Sequence, residues 1–266
     1  MKKVIFFDID GTLIDCTRGI TKITKEVEKS IRKLQAEGNY IFIATGRPYA
    51  FISEELLKFG FNGFVFTNGA QVVVREELIY KQEIKKDVVK TIVNNFEKFN
   101  IEYILEGEKY SYMKSECEDL YAYYDSFNIS RKYIKSEYNI SDIDIYKMEM
   151  LCKSKEAEEY CLSLQGDEFD CNHNISSNIF EVYSSRETKA SGIMRVLNHL
   201  NIPVENSYAF GDGINDIEML ESVGCGIAMG NASEKVKSHA KKVTCDVIND
   251  GIAVGIEKFI NKLMLY

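Results

Sequence analysis

The sequence predicts an α/β protein, a doubly wound, mostly parallel, Rossmann-like sheet with a separate α+β unit inserted into it. Three observations carry this expectation. Short runs apolar on both faces alternate with helical patterns near the start and again near the end, as in a parallel sheet covered by helices on both sides. Between about residues 82 and 182 the texture changes to Tyr-, Glu- and Lys-rich segments with alternating stretches. At 266 residues the chain exceeds the usual size of one domain and has apolar residues enough for two cores. The expected division is therefore 1–81 with 183–266 for the parallel unit, and 82–182 for the insertion.

The first run, VIFF (4–7), precedes Ile20, Ile23, Val27, Ile31 and Leu34 at helical spacing. YIFIA (40–44) is the next strand, a helix follows from Phe51 to Phe59, and FVF (64–66) is the third strand. After the insertion, Ile193, Val196, Leu197 and Leu200 mark a helix and SYAF (207–210) a strand. Ile217 and Leu220 mark another helix, CGIAM (225–229) a short strand, and Ile252, Ile256, Phe259 and Ile260 the last helix. Inside the insertion, EYILEGEKYSYM (102–113) and Ile143/Ile145 before KMEML alternate with the period of half-buried strands.

Composition narrows the function. With 33 basic against 41 acidic residues and no long Lys/Arg run, the chain lacks the electrostatic footprint of a nucleic-acid binder. Seven scattered cysteines without a C-x-x-C argue against a disulfide framework and a zinc site. The start, MKKVIFFDID, has too short an apolar run for a signal peptide, and nowhere do eighteen apolar residues run together. The expectation is a cytoplasmic chain with no membrane partner, acting on something small; the sequence is silent on oligomeric state.

Ligands of open parallel sheets bind beyond the carboxyl ends of the strands, so the residues ending each run matter most. Each end is polar here. VIFF leads to Asp8, with Asp10 two further on; YIFIA to Thr45-Gly46-Arg47; FVF to Thr67-Asn68-Gly69; SYAF to Gly211-Asp212-Gly213-Ile214-Asn215-Asp216. Asp8, Asp10, Asp212 and Asp216 make an oxygen-rich nest suited to a hard cation such as Mg²⁺. Thr45, Asn215, Lys189 and the backbone N–H groups around Gly11 and Gly46 add donors, and together these describe a site for a phosphoryl group.

In that order, DIDGTL (8–13), TGR (45–47), Lys189 and GDGIND (211–216) resemble the four motifs of the haloacid dehalogenase (HAD) superfamily of phosphohydrolases. Only 36 residues separate Asp8 from Thr45, whereas about 140 lie between Arg47 and Lys189, a spacing similar to the class-two cap arrangement. TNGA (67–70) and FEV (180–182) resemble the borders of the Cof-type subfamily with its type IIB cap. Two departures, Lys189-Ala190 in place of Lys-Gly and no proline near Ser184, bear on the return from the cap.

The resemblance implies a HAD core carrying a Mg²⁺-dependent phosphatase of small phosphorylated metabolites, by default sugar phosphates or phosphorylated cofactors. It implies Asp8 as the nucleophile that forms an aspartyl-phosphate, and Asp10 as general acid and base, with a pKa above that of Asp8. Mg²⁺ is implied on Asp8, the backbone carbonyl of Asp10 and Asp212, with Asp216 supporting its waters. Lys189 pairs with Asp8 and the phosphate, and Thr45 holds a phosphate oxygen. Asn68 is a candidate substrate contact, and Arg47 contributes backbone N–H groups or faces the cap. The second acid at Asp10 favours phosphoryl over carbon-centred chemistry. A phosphomutase or phosphotransferase on the same core, or a non-catalytic phospho-ligand-binding protein, is the alternative.

A second DID, Asp142 to Asp144, follows polar NIS and has no Gly-Thr after it, so it reads as the wet face of a strand. GCGIAMG (224–230) has one residue too many for a dinucleotide loop.

Overall fold

The computed structural model describes residues 2–261. It divides into two units, one comprising the residues up to Gly46, Glu55–Tyr80 and those from Thr188 onwards, the other Arg47–Glu54 and Lys81–Glu187. Among the described residues, no helix is long and apolar enough to cross a membrane.

In the first unit one sheet has the strand order Lys242–Val243, Cys225–Ala228, Ser207–Gly211, Val4–Phe7, Tyr40–Ala44, Gly63–Phe66, Gln71–Val74, Glu77–Lys81. The strands run parallel from the first of these to Gly63–Phe66, and Gln71–Val74 returns antiparallel. Val4, Ile5, Phe6 and Phe7 are all fully buried, which is why VIFF is apolar on both faces rather than alternating. Burying each such side chain contributes roughly 2 kcal/mol of transfer free energy. On one face Val4, Phe6, Phe42 and Ala44 pack with Ile193, Val196 and Leu197 of the helix Lys189–Leu200. That helix lies close to the sheet because position 192 is glycine: a Cβ there would stand 2.4 Å from Val65 Cγ1. Phe7 is level with Phe210 on one side and Ile43 on the other, so Asp8, Thr45 and Asp212 emerge together at the carboxyl ends of three central strands.

Several elements differ from the periodicity. Ile20 and Ile23 precede the helix, which runs Lys25–Ala36 with Thr24 as its N-cap, accepting from the Val27 N–H. Ile20 instead exchanges both backbone hydrogen bonds with Asp15, and that local turn overrides its helical spacing. The helix expected from Phe51 to Phe59 is a 3₁₀ turn, Tyr49–Phe51, followed by a shorter helix, Glu54–Lys58. The last helix is α over Gly251–Gly255 and π over Ile256–Ile260. Gln71–Val74 and Glu77–Lys81 are strands that the periodicity did not single out.

The second unit holds a sheet in the order Phe169–Asn174, Ile179–Ser184, Ile145–Leu151, Glu102–Gly107, Ser111–Tyr112, Ile134–Lys135. Leu105, Met148, Met150, Phe180 and Val182 face an apolar core shared with the helices Lys86–Lys98 and Lys155–Ser163. Residues of the opposite parity carry charge. Lys147 Nζ lies 3.2 Å from Glu106, 2.7 Å from Glu149 and 3.3 Å from Glu181, and Tyr124 Oη donates to Glu149 at 2.6 Å. Burial pushes the Glu106 carboxyl well up, against the pull of Lys147.

Candidate active site

Strand ends and one helix start build the site. Asp8 is the first residue past Val4–Phe7, its N–H still donating to Phe210 O at 3.0 Å, and it is 5% exposed. Lys189 opens the helix Lys189–Leu200, whose N-cap Thr188 and Ser191 form a reciprocal capping box. The cap fixes where the helix begins and so where the lysine stands. Lys189 Nζ donates to Asp8 Oδ1 at 2.7 Å and to Asp216 Oδ1 at 2.6 Å. The other oxygen of Asp216 accepts from the N–H groups of Asp212 and Gly213 at 2.9 and 2.8 Å, which closes the loop after Ser207–Gly211. Asp212 accepts from Thr12 Oγ1 at 2.9 Å. Gly11 has φ of +76°, and a Cβ on it would stand 2.1 Å from Asp212 Oδ2, so glycine is required by both conformation and space.

Carboxylate oxygens of Asp8, Asp212 and Asp216 lie within 4.8 Å of one another, a hard-oxygen set that suits Mg²⁺. Burial pushes the Asp8 carboxyl well up; the charges of Asp216 and Asp10 add to this, and Lys189 opposes it. The ionised form of Asp8 is therefore favoured by nearby positive charge. For Lys189 burial disfavours the ammonium, but Asp216 and Asp8 outweigh it and hold the group protonated. Asp212 is pushed up to about 6 by burial, with Asp216 adding to the rise and the Thr12 hydrogen bond and Lys189 opposing it.

The remaining candidates fall in place to different degrees. Thr45 is buried, its N–H donating to Val65 O and its carbonyl accepting from Asn68 N–H at 3.1 Å. Thr67 and Asn68 both have left-handed backbone, φ of 50° and 51°, a strain held by that hydrogen bond and turn. Asn215 Nδ2 donates to Asn68 Oδ1 at 3.3 Å, and Gly46 lies beside both side chains. Asp10 is exposed, and its carboxylate is not among the three clustered ones. Arg47 groups with the second unit, where its Nη1 donates to Phe51 O at 3.0 Å. Asp144 binds Lys81 at 2.7 Å and lies 3.4 Å from Lys86, a surface tether of the second unit. His173 stacks on Phe180 at 3.8 Å and bonds Asn178, a packing role.

Two residues of the site escape sequence reasoning. Thr12 sits inside DIDGTL, whose carboxylates drew the attention. Asn231 lies in MGNAS (229–233), a stretch with no apolar period and no charge. Its Nδ2 donates to Gly11 O at 2.8 Å and to Asp212 Oδ2 at 3.2 Å.

A buried lysine bridging two acids, beyond the carboxyl ends of a parallel sheet where ligands bind, places positive charge suited to an anionic ligand. The family profile described as haloacid dehalogenase-like hydrolase matches residues 5–256, and the chain belongs to that family. It is similar to the putative phosphatase YkrA of Bacillus subtilis (strain 168), with 31% identity over 96% of this chain and 97% of the relative. It is also similar to the 5-amino-6-(5-phospho-D-ribitylamino)uracil phosphatase YitU of the same organism, with 27% identity over 97% of each. The solved HAD subclass IIB sugar phosphatase BT4131 superposes with a TM-score of 0.80 at 31% identity, covering 97% of this chain and 99% of its own. The chain is a phosphatase, a phosphoric monoester hydrolase.

Proposed function

We propose that the protein hydrolyses small phosphorylated metabolites, sugar or polyol phosphates foremost, through an aspartyl-phosphate on Asp8 with Mg²⁺ as cofactor. The observation that carries this reading is the Lys189 bridge between Asp8 and Asp216 with the Asp212 carboxylate alongside. The substrate class rests on the likeness to a sugar phosphatase and to a phosphatase of a ribityl phosphate.

Asp8 and Asp212, with the backbone carbonyl of Asp10, would hold the ion. Asp216 stands behind them, because its carboxylate is engaged by Lys189 and two backbone N–H groups. Mg²⁺ supplies charge neutralisation between an anionic nucleophile and an anionic phosphate. The Lys189 ammonium favours the ionised form of Asp8, opposing the rise that burial imposes. The Asp8 carboxylate attacks phosphorus, the bond to the leaving oxygen breaks, and Asp10 gives that oxygen a proton. Asp10 then takes a proton from the water that attacks the aspartyl-phosphate and releases inorganic phosphate. Thr45, Asn215 and the N–H groups near Gly11 and Gly46 orient phosphate oxygens; Asn68, bonded to Asn215, steadies that side.

The test is phosphate release, with and without Mg²⁺, across sugar phosphates, polyol phosphates, nucleotides, pyridoxal phosphate and flavin mononucleotide. Metal-dependent turnover should fall at least about a thousandfold in Asp8→Asn. A folded Asp8→Asn that keeps most of its activity would remove Asp8 as nucleophile.

A further inference from the structure

Asn231 stands where three separate segments meet, and each of its polar atoms is used. Its Nδ2 donates to Gly11 O in the loop after Val4–Phe7 at 2.8 Å, and to Asp212 Oδ2 in the loop after Ser207–Gly211 at 3.2 Å. Its Oδ1 accepts from Val247 N–H at 3.0 Å, at the start of the 3₁₀ turn Val247–Asn249. That third bond fixes which way the amide points: with Oδ1 committed to an N–H, the NH₂ group must face the two acceptors. Asp212 is thus held at both oxygens, by Thr12 on Oδ1 and by Asn231 on Oδ2.

We propose that Asn231 is a positioning residue for the metal-side carboxylate, tying Asp212 to the loop that carries Asp8 and Asp10 and presenting both at a fixed separation. A divalent cation shared between the two loops gains affinity from a geometry set in advance, because ligands that must be gathered cost ordering free energy on binding. Neither aspartate nor leucine, both near Asn in size, reproduces the arrangement. Aspartate lacks the donors and adds a repelling charge beside Asp212, and leucine leaves the Val247 N–H and the Gly11 carbonyl without partners. The inference rests on the metal reading above and goes beyond it by assigning a role outside the ligands.

Manganese, as the paramagnetic stand-in for Mg²⁺, tests it on the full chain without turnover. Mn²⁺ affinity is measured by electron paramagnetic resonance for the wild type and for Asn231→Ala, together with metal-free melting temperatures. Asn231→Ser, which keeps a hydroxyl donor and leaves a smaller void, carries the same measurement where the alanine variant does not fold. Loss of roughly tenfold or more in Mn²⁺ affinity by the folded variant supports the assignment. A folded variant with wild-type affinity overturns it, whatever its melting temperature, because a purely structural asparagine lowers stability and leaves affinity alone. A wild type that binds no Mn²⁺ would sink the metal reading, and this inference with it.

Discussion

Lys189 sets the charge balance of the site. It is 1% exposed and faces two carboxylates, so the cost of burying three charged groups is offset only by their mutual geometry and by the backbone N–H groups that bond Asp216. Asp212 has less support, and burial leaves its pKa at about 6. The sign follows from that rise. A carboxyl whose folded pKa exceeds its ordinary 3.8 stabilises the fold fully below 3.8, and the contribution is lost as pH rises through about 6. Metal-free protein should therefore gain stability from Asp212 on acidification from pH 7 to pH 5. Urea unfolding across this window should show a smaller gain in Asp212→Asn, by about 1 kcal/mol. Parallel curves for the two proteins would contradict the shift. Of the candidate site residues, the acids were legible because strand ends announce them, and the lysine through its place between the insertion and GDGIND. Thr12 and Asn231 were not, since a hydroxyl or amide becomes informative only when its partners are known.

Among the elements, the helix Lys189–Leu200 couples stability to function most directly. Its capping box sets the first turn, and the first helical residue is Lys189, the lysine that bridges Asp8 and Asp216. Thr188→Ala should cost about 1 kcal/mol in chemical unfolding and lower turnover at saturating substrate, because the helix start no longer holds the ammonium in place. Turnover at the wild-type level in a variant destabilised by that amount would separate the cap from the chemistry. Strands that are buried on both faces could be read from their runs, as VIFF and YIFIA show. Helix starts could not, as Ile20 and Ile23 show: their spacing continues that of Val27, but the paired backbone of Asp15 and Ile20 and the Thr24 cap place the start at Lys25. Edge strands such as Glu77–Lys81 escape the pattern because they are only partly buried and lack the run of apolar residues a central strand needs.

At the scale of the molecule, the two DID tripeptides have the same letters and opposite surroundings. Asp8 ends a fully buried central strand, whereas Asp144 lies among lysines on the second unit. Replacing Asp142 and Asp144 together with Asn should leave kcat within about twofold and stability within about 1 kcal/mol, since partly exposed ion pairs contribute little. A large loss of kcat in the folded double variant would give the second tripeptide a part in the chemistry. The sequence by itself determined the sheet class, the acidic strand ends and the family, because local apolar runs and short motifs are properties of neighbours along the chain. Only the tertiary structure decided that Lys189 bridges Asp8 and Asp216, that Gly11 must be bare to admit Asp212, and that Asn231 joins both loops. Those contacts link residues from 19 to 220 positions apart, and their energies depend on distances that only folding sets.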